Sequence, residues 1–200
     1  VFLLNKDPTE EGGIYTVEVS EDGVLASKGD HYALRLPQAM ALYPGTPTRA
    51  LLVGGQTMFE PFDDNDVRIL LLENDGWREV AAFDVYRDYV QCDGIGMTGD
   101  GLNAFLTNSS PFSSERGHLV HLTVSDEMVV ETQRFVGQGD LSHARALPDG
   151  RTFVVSTGES DQVRVFAPNE VTDAYALTQT IDAIGLAQQM AIAKAPGERT

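Results

Sequence analysis

A pattern of short strands recurs along the chain about every 50 residues, and it predicts an all-β fold of the β-propeller class. Two further observations support this prediction. Runs rich in β-branched and aromatic residues alternate with Gly, Pro, Asn and Asp, and no segment keeps a sustained helical period. We therefore expect four-stranded antiparallel blades, with about four of them in the 200 residues.

The first two strands of each unit, called a and b, are joined by a turn that contains Gly. The clearest example is Ala144–Ser156, in which Pro148, Asp149 and Gly150 separate two apolar runs. Gly150 suits a chain reversal because glycine adopts positive φ at low cost. The same hairpin is predicted at Gly94–Leu106 and Met40–Val53, and it begins again at Ile192–Thr200.

A polar loop follows each b strand and leads to a third strand, c, and then to a more polar fourth strand, d. The predicted c strands are Ile14–Val19, Val67–Leu72, Leu119–Val124 and Val163–Phe166, and d strands include Trp77–Val85 and Val129–Val136. Residues 172–191 would also suit a helix, because they are rich in Ala, Leu and Gln. The predicted blades are 1–37, 38–90, 91–140 and 141–187, and the next blade starts at 188–200.

The two ends of the chain leave the total number of blades open. Val1–Leu4 resembles a b strand without its a strand, and Gly197–Thr200 stops where a b strand would begin. One interpretation is a window of a longer ring of roughly seven or eight blades. The other is a closed four-bladed propeller in which the last a strand completes the first blade. We favour the longer ring, because the sequence has no initial Met and is cut within a strand at both ends.

Composition limits the classes of partner. The formal net charge of −16 argues against nucleic acids and anionic membranes, whose phosphates require Lys and Arg. No apolar run approaches the roughly 20 residues of a transmembrane helix, so no membrane insertion is expected. The single cysteine, Cys92, excludes an internal disulfide. A protein or a small molecule is the expected partner.

The candidate site lies on one face of the propeller, called the top face here, where the d–a connections and the b–c loops surround the central channel. Polar residues open the predicted a strands at this face. Asp93 and His143 are the candidate catalytic residues, as a carboxylate entering an apolar strand and the only histidine at the channel mouth. The candidate ligand-binding residues are Gln38, Ser142, Gln188 and Gln189.

The b–c loops are acidic and are the predicted place for a cation. The candidate metal ligands are Asp63, Asp64, Asp66, Glu159 and Asp161. Calcium is the expected ion, because it prefers carboxylates and other oxygen ligands. The alternative is that these carboxylates only form part of a solvated acidic surface. No other cofactor is evident from the sequence.

Three matches to short motifs carry little functional weight. Gly94–Gly99 fits the dinucleotide-binding fingerprint, but a predicted strand, Leu102–Leu106, takes the place of the required helix. Asp63–Asp66 resembles a calcium loop but lacks the Gly and the distal Glu of an EF-hand. Asn108–Ser110 is an N-glycosylation acceptor only in a glycosylating secretory pathway.

The phrase Ala146–Val155, followed by Gln162–Phe166, resembles the repeat of bacterial lactonase-like and YVTN-type propellers, which have seven blades. The similarity covers most of the fourth unit and is looser in the third. Such propellers include sugar-lactone hydrolases, periplasmic binding proteins and modules without known activity. The resemblance therefore implies the fold and a periplasmic or extracellular location. No active-site motif of the family is matched, so no catalytic residue is carried over.

Three functional hypotheses remain open. The lack of a catalytic constellation favours a non-catalytic binding or scaffold propeller that presents its acidic top face to a protein or small ligand. The alternative is a lactonase-like hydrolase, with or without a metal, that uses Asp93 and His143 at the channel mouth. The third hypothesis is a purely structural module of a larger multidomain protein.

Overall fold

The computed structural model describes residues 2–7, 9, 11–54, 66–86, 92–108, 116–158 and 161–182. All the helices and strands assigned in these ranges are β-strands. They are β1 (Phe2–Asn5), β2 (Gly13–Val19), β3 (Leu25–Ala33), β4 (Pro37–Leu42), β5 (Arg49–Gly54), β6 (Val67–Glu73), β7 (Gly76–Phe83), β8 (Cys92–Met97), β9 (Asn103–Asn108), β10 (Leu119–Val124), β11 (Val129–Phe135), β12 (Leu141–Ala146), β13 (Phe153–Thr157), β14 (Gln162–Pro168) and β15 (Tyr175–Asp182).

The strands form four antiparallel sheets, each with its strands in chain order. Blade 1 contains β1–β3, blade 2 contains β4–β7, blade 3 contains β8–β11 and blade 4 contains β12–β15. The first strands of blades 2, 3 and 4 pack side by side, so they are the inner strands of the ring. This arrangement confirms the predicted β-propeller of four-stranded blades.

Blade 1 differs from the others, because three of its strands lie within the described residues. β1 pairs with β2 and places Phe2 opposite Thr16. β1 therefore occupies the position of a b strand, as predicted for the start of the sequence. At the other end, Tyr175–Asp182 is a strand and not part of a helix.

The hydrophobic core consists of three clusters, each between two neighbouring blades. Ala50 and Leu52 pack toward Ile14 in blade 1, whereas Leu51 and Val53 of the same strand pack toward Ile95 in blade 3. Successive side chains of a strand point to opposite faces, and both faces of a central blade are covered. This explains why β5 is a continuous apolar run and why all four of these residues are fully buried.

Two glycines of β8 allow the inner strands β8 and β12 to approach closely. A Cβ atom at Gly96 would lie 2.8 Å from the carbonyl carbon of Ala144, and one at Gly94 would lie 2.7 Å from the carbonyl oxygen of Ser142. A side chain has no room at such a contact between backbones. The glycines of the apparent dinucleotide fingerprint therefore serve the packing of blades, and a strand, β9, follows them.

The substitution Gly96→Ala is expected to lower the free energy of unfolding by about 1–3 kcal/mol, the usual cost of forcing atoms into a packed site. Gly99→Ala is the matched control, because a Cβ atom there has nothing within 4 Å. Urea denaturation monitored by circular dichroism measures both variants. Equal stabilities for the two variants would contradict the close approach of β8 and β12.

Candidate active site

Each of the three inner strands begins with the same irregularity, a β-bulge near its N-terminal end. The extra residue lies between Pro37 and Ala39 in β4, between Cys92 and Gly94 in β8, and between Leu141 and His143 in β12. In a bulge, two residues of one strand lie opposite a single residue of the partner strand, which changes the direction of a side chain. Bulges are frequent beside active sites. The residues at the three bulges are Gln38, Asp93 and Ser142, all of which the sequence analysis singled out.

The bulges of blades 3 and 4 adjoin each other. A Cβ atom at Gly94 would lie 2.9 Å from Cα of His143, and the Thr107 hydroxyl donates a hydrogen bond to the Ser142 carbonyl at 3.0 Å. The backbone at position 93 therefore lies beside Ser142 and His143. For residues 92 and 93 the structure describes the backbone alone.

His143 is half-buried on β12, and its backbone N–H donates to Ser156 Oγ at 3.2 Å. Its Nδ1 atom is buried and has no hydrogen-bond partner. Burial lowers the pKa of His143, and the positive charges of Arg145 and Lys6 lower it further. A neutral imidazole with an unoccupied ring nitrogen is suited to accept a proton.

The sequence analysis did not identify the two basic residues near His143. Arg145 follows His143 by two positions on β12, and its guanidinium donates to the carbonyl oxygens of Ile95 at 3.1 Å and Ala144 at 2.8 Å. The i, i+2 spacing on a strand indicates a shared face and was a usable signal. Lys6 lies in the b–c loop of blade 1, and no sequence spacing relates that loop to β12.

A carboxylate that the sequence analysis also missed lies beside Ser142. A Cβ atom at Gly158 would lie 2.8 Å from Asp140 Oδ2 and 3.0 Å from Ser142 Oγ, so both side chains surround the same small residue. The guanidinium of Arg116 approaches Asp140 Oδ2 to 3.9 Å. Asp140 precedes β12, outside the positions that the sequence analysis considered.

Two of the four candidate ligand-binding residues are described. The side-chain amide of Gln38 donates to the Leu36 carbonyl at 3.4 Å, and Ser142 lies beside Asp140 as above. Gln188 and Gln189 lie outside the described residues.

Two of the five candidate metal ligands are described, and they belong to different blades. Asp66 is 1% exposed, and its Oδ2 atom accepts hydrogen bonds from the backbone N–H groups of Val85 at 2.9 Å and Tyr86 at 2.6 Å. Burial raises the pKa of Asp66 to about 7, and the neighbouring Asp84 adds to the rise. Asp161 lies in the b–c loop of blade 4 with a buried Oδ1 atom that has no partner.

The metal site stays a prediction. Within the described ranges, no three His, Cys, Asp or Glu side chains come together as metal ligands. Asp63, Asp64 and Glu159 lie outside those ranges. Asp66 has one oxygen without a hydrogen-bond partner, since its other oxygen holds the connection between β7 and β8.

Two further features of the described residues bear on function. Asn108, the acceptor of the glycosylation motif, is fully buried at the end of β9, so the folded chain does not present it to a glycosylating enzyme. No helix in the described part of the chain is long and apolar enough to cross a membrane.

Together, the blades define a β-propeller fold of four-stranded antiparallel blades, and the solved structures that share it include the following three. A protein from Lactobacillus plantarum matches 92% of this chain over 54% of its own length, with a TM-score of 0.65 and 17% identity. A putative 6-phosphogluconolactonase from Bacteroides uniformis matches 90% of this chain over 55% of its own length, with a TM-score of 0.69 and 13% identity. The periplasmic gluconolactonase PpgL of Pseudomonas aeruginosa matches 91% of this chain over 67% of its own length, with a TM-score of 0.56 and 16% identity.

These similarities confirm the predicted fold. The chain spans about half the length of the first two structures. No protein-family model matches the sequence, and no curated protein does. At such low identities the likeness concerns the fold alone.

Proposed function

We propose that the chain forms part of a propeller that hydrolyses a lactone at the channel mouth around His143. The observation that carries this proposal is the half-buried imidazole with a lowered pKa and an unpartnered nitrogen, close to Arg145 and Lys6. Two propellers of the same fold are described as lactonases, which supports the same class of reaction here. The proposal adopts the alternative from the sequence analysis in place of the favoured non-catalytic role.

Lactone hydrolysis requires a water molecule to add to the ring carbonyl and to lose a proton. In the proposed reaction, the neutral imidazole of His143 accepts that proton as the oxygen of the water bonds to the carbonyl carbon. The carbonyl oxygen becomes negative, and the charges of Arg145 and Lys6 stabilise it. The ring C–O bond then breaks, and the leaving oxygen takes the proton from the His143 imidazolium to give the hydroxy acid.

The surroundings of His143 favour a polar, negatively charged lactone. Lys6 and Arg145 place positive charge near His143, whereas Arg116 faces the carboxylate of Asp140. The charges of Lys6 and Arg145 favour an anionic substrate, although the chain as a whole carries a formal charge of −16. We assign hydrogen bonding of substrate hydroxyl groups to Gln38, Ser142, Gln188 and Gln189, and an auxiliary catalytic role to Asp93.

We also propose a periplasmic or extracellular location. The similar PpgL is described as periplasmic, which supports this proposal. Calcium binding by the acidic b–c loops remains a further proposal, and no step of the reaction above depends on it.

His143→Gln is expected to lower kcat at least about a hundredfold, because it removes the proton acceptor. The rate is measured as acid release from glucono-δ-lactone and from 6-phosphogluconolactone, after subtraction of the spontaneous hydrolysis. His31→Gln is the matched control, because His31 stacks on Tyr15 at 4.2 Å in the outermost strand of blade 1. Unchanged kcat in His143→Gln would show that another residue is the base.

The pH profile of the same enzyme provides the discriminating readout. The acid limb of kcat/KM is expected below pH 6.5, the ordinary pKa of histidine, because the pKa of His143 is lowered. Lys6→Met should move this limb to higher pH, since it removes one of the positive charges. A wild-type protein that hydrolyses no lactone would favour the non-catalytic binding propeller.

A further inference from the structure

The bottom face of the propeller, formed by the a–b and c–d turns, carries four Asp-Gly pairs. Asp22-Gly23 and Asp75-Gly76 lie in c–d turns of blades 1 and 2, and Asp100-Gly101 and Asp149-Gly150 lie in a–b turns of blades 3 and 4. Aspartate before glycine is prone to cyclise, because glycine has no side chain to hinder its amide nitrogen. The four pairs share this local sequence and differ in how the fold holds the carboxylate.

The carboxylates of blades 3 and 4 are held by their own turns. Asp100 Oδ1 accepts hydrogen bonds from Leu102 N at 2.9 Å and from Thr98 Oγ1 at 2.6 Å. Asp149 accepts three, from the backbone N–H groups of Arg151 and Thr152 at 2.9 Å and from Thr152 Oγ1 at 2.5 Å. These bonds fix the position of each carboxylate within its turn.

The carboxylates of blades 1 and 2 are exposed, and no described residue donates a hydrogen bond to either of them. The space around their glycines is also open. A Cβ atom at Gly23 would have nothing within 4 Å, and one at Gly76 would meet only Asp30 Cβ at 3.8 Å. Pro44 Cδ would lie at 2.8 Å from a Cβ atom at Gly101, but Gly150 is as open as Gly23, so the hydrogen bonds of the carboxylates are what separates the two groups.

We propose that Asp22 and Asp75 are sites of spontaneous isoaspartate formation, from which the turns protect Asp100 and Asp149. The glycine nitrogen bonds to Cγ of the protonated aspartate, and the hydroxyl group of that carboxyl leaves as water to form a succinimide. Water then opens the ring, so the overall composition is unchanged. When water attacks the α-carbonyl, the glycine nitrogen stays bonded to Cγ. The backbone then passes through the aspartate side chain, and the α-carboxylate is free.

The modification at Asp75 has a structural consequence. It adds a backbone atom to the turn that pairs Glu73 with Gly76 at the start of β7. The next residue, Trp77, packs against Phe2 with ring centroids 5.0 Å apart in the cluster between blades 1 and 2. Modification at Asp22 changes a turn whose neighbours are exposed.

The full chain is incubated at pH 7.4 and 37 °C, and isoaspartate at each site is followed by peptide mapping with mass spectrometry. Asp22 and Asp75 are expected to convert about tenfold faster than Asp100 and Asp149, because the latter must first break hydrogen bonds to a charged group. The same chain in denaturant is the control, since the four Asp-Gly pairs of the bottom face lose their turns there and should convert at similar rates.

Two outcomes would overturn the proposal. One is equal conversion of all four sites in the folded chain, and the other is faster conversion at Asp100 or Asp149. Thr152→Val adds an independent check, because it removes the shortest hydrogen bond to Asp149. Faster conversion at Asp149 in this variant, with Asp22 unchanged, supports the proposal, and an unchanged rate at Asp149 contradicts it.

Discussion

Phe105→Ala is expected to lower the free energy of unfolding by about 4 kcal/mol, within the range for removing a buried phenylalanine ring. Phe105 is fully buried between blades 3 and 4. Its ring centroid lies 4.4 Å from that of Phe153, 5.0 Å from that of Tyr175 and 5.9 Å from that of Phe166. Removal of the ring opens a cavity at the contact that joins the two blades, and each blade contacts only its neighbours.

Urea denaturation monitored by circular dichroism measures this loss. Leu102→Ala is the matched control in the same blade, because Leu102 is 55% exposed and should lose less than about 0.5 kcal/mol. Phe105→Leu fills part of the cavity and should fall between the two. A loss below about 1 kcal/mol for Phe105→Ala would contradict the dependence of blade 4 on this contact.

The sequence predicted two of the c strands closely, because their apolar residues are buried on both faces. Leu119–Val124 coincides with β10, and the predicted Val67–Leu72 differs from β6 by one residue. The predicted strand Trp77–Val85 was too long, since β7 ends at Phe83. Asp66 accepts the next backbone N–H groups, those of Val85 and Tyr86, and a partner 19 residues away leaves no local signal.

The candidate site was predictable where it depends on one strand and not where it depends on several. Polar residues at the start of an inner strand indicated Gln38, Ser142 and His143, and register shifts are found at or directly before these positions. Asp140 is two residues before Ser142, outside the strand that the pattern covers, and Lys6 acts on His143 from a different blade. The proximity of Lys6 to His143 arises from the arrangement of blades, which single-strand patterns do not encode.

Acidification from pH 7 to pH 4 is expected to remove about 3 kcal/mol of stability through His121 alone. Burial lowers the pKa of His121 to about 4 from an ordinary value of 6.5. Its ring nitrogens lie 2.8 Å from Thr132 Oγ1 and 3.0 Å from Asn103 Oδ1, and its ring packs against Phe105 and Tyr175. The other titratable neighbour, Tyr175, stays neutral in this range because burial raises its pKa to about 12.

The sign of the effect follows from the lowered pKa. The folded state binds the proton less readily than the unfolded state, so the contribution of His121 is complete above pH 6.5 and is lost as the pH falls toward 4. Asp66 acts in the opposite direction. Its pKa is raised to about 7 from 3.8, so its contribution is present at low pH and is lost as the pH rises through 7.

A comparison of the wild type with His121→Gln separates the contribution of His121 from that of Asp66. Glutamine does not titrate, and Asp66 is present in both the wild type and the variant. The difference in unfolding free energy between wild type and variant should be constant above pH 6.5 and fall by about 3 kcal/mol at pH 4. A flat difference would show that His121 accepts a proton in the folded blade as easily as in the unfolded chain.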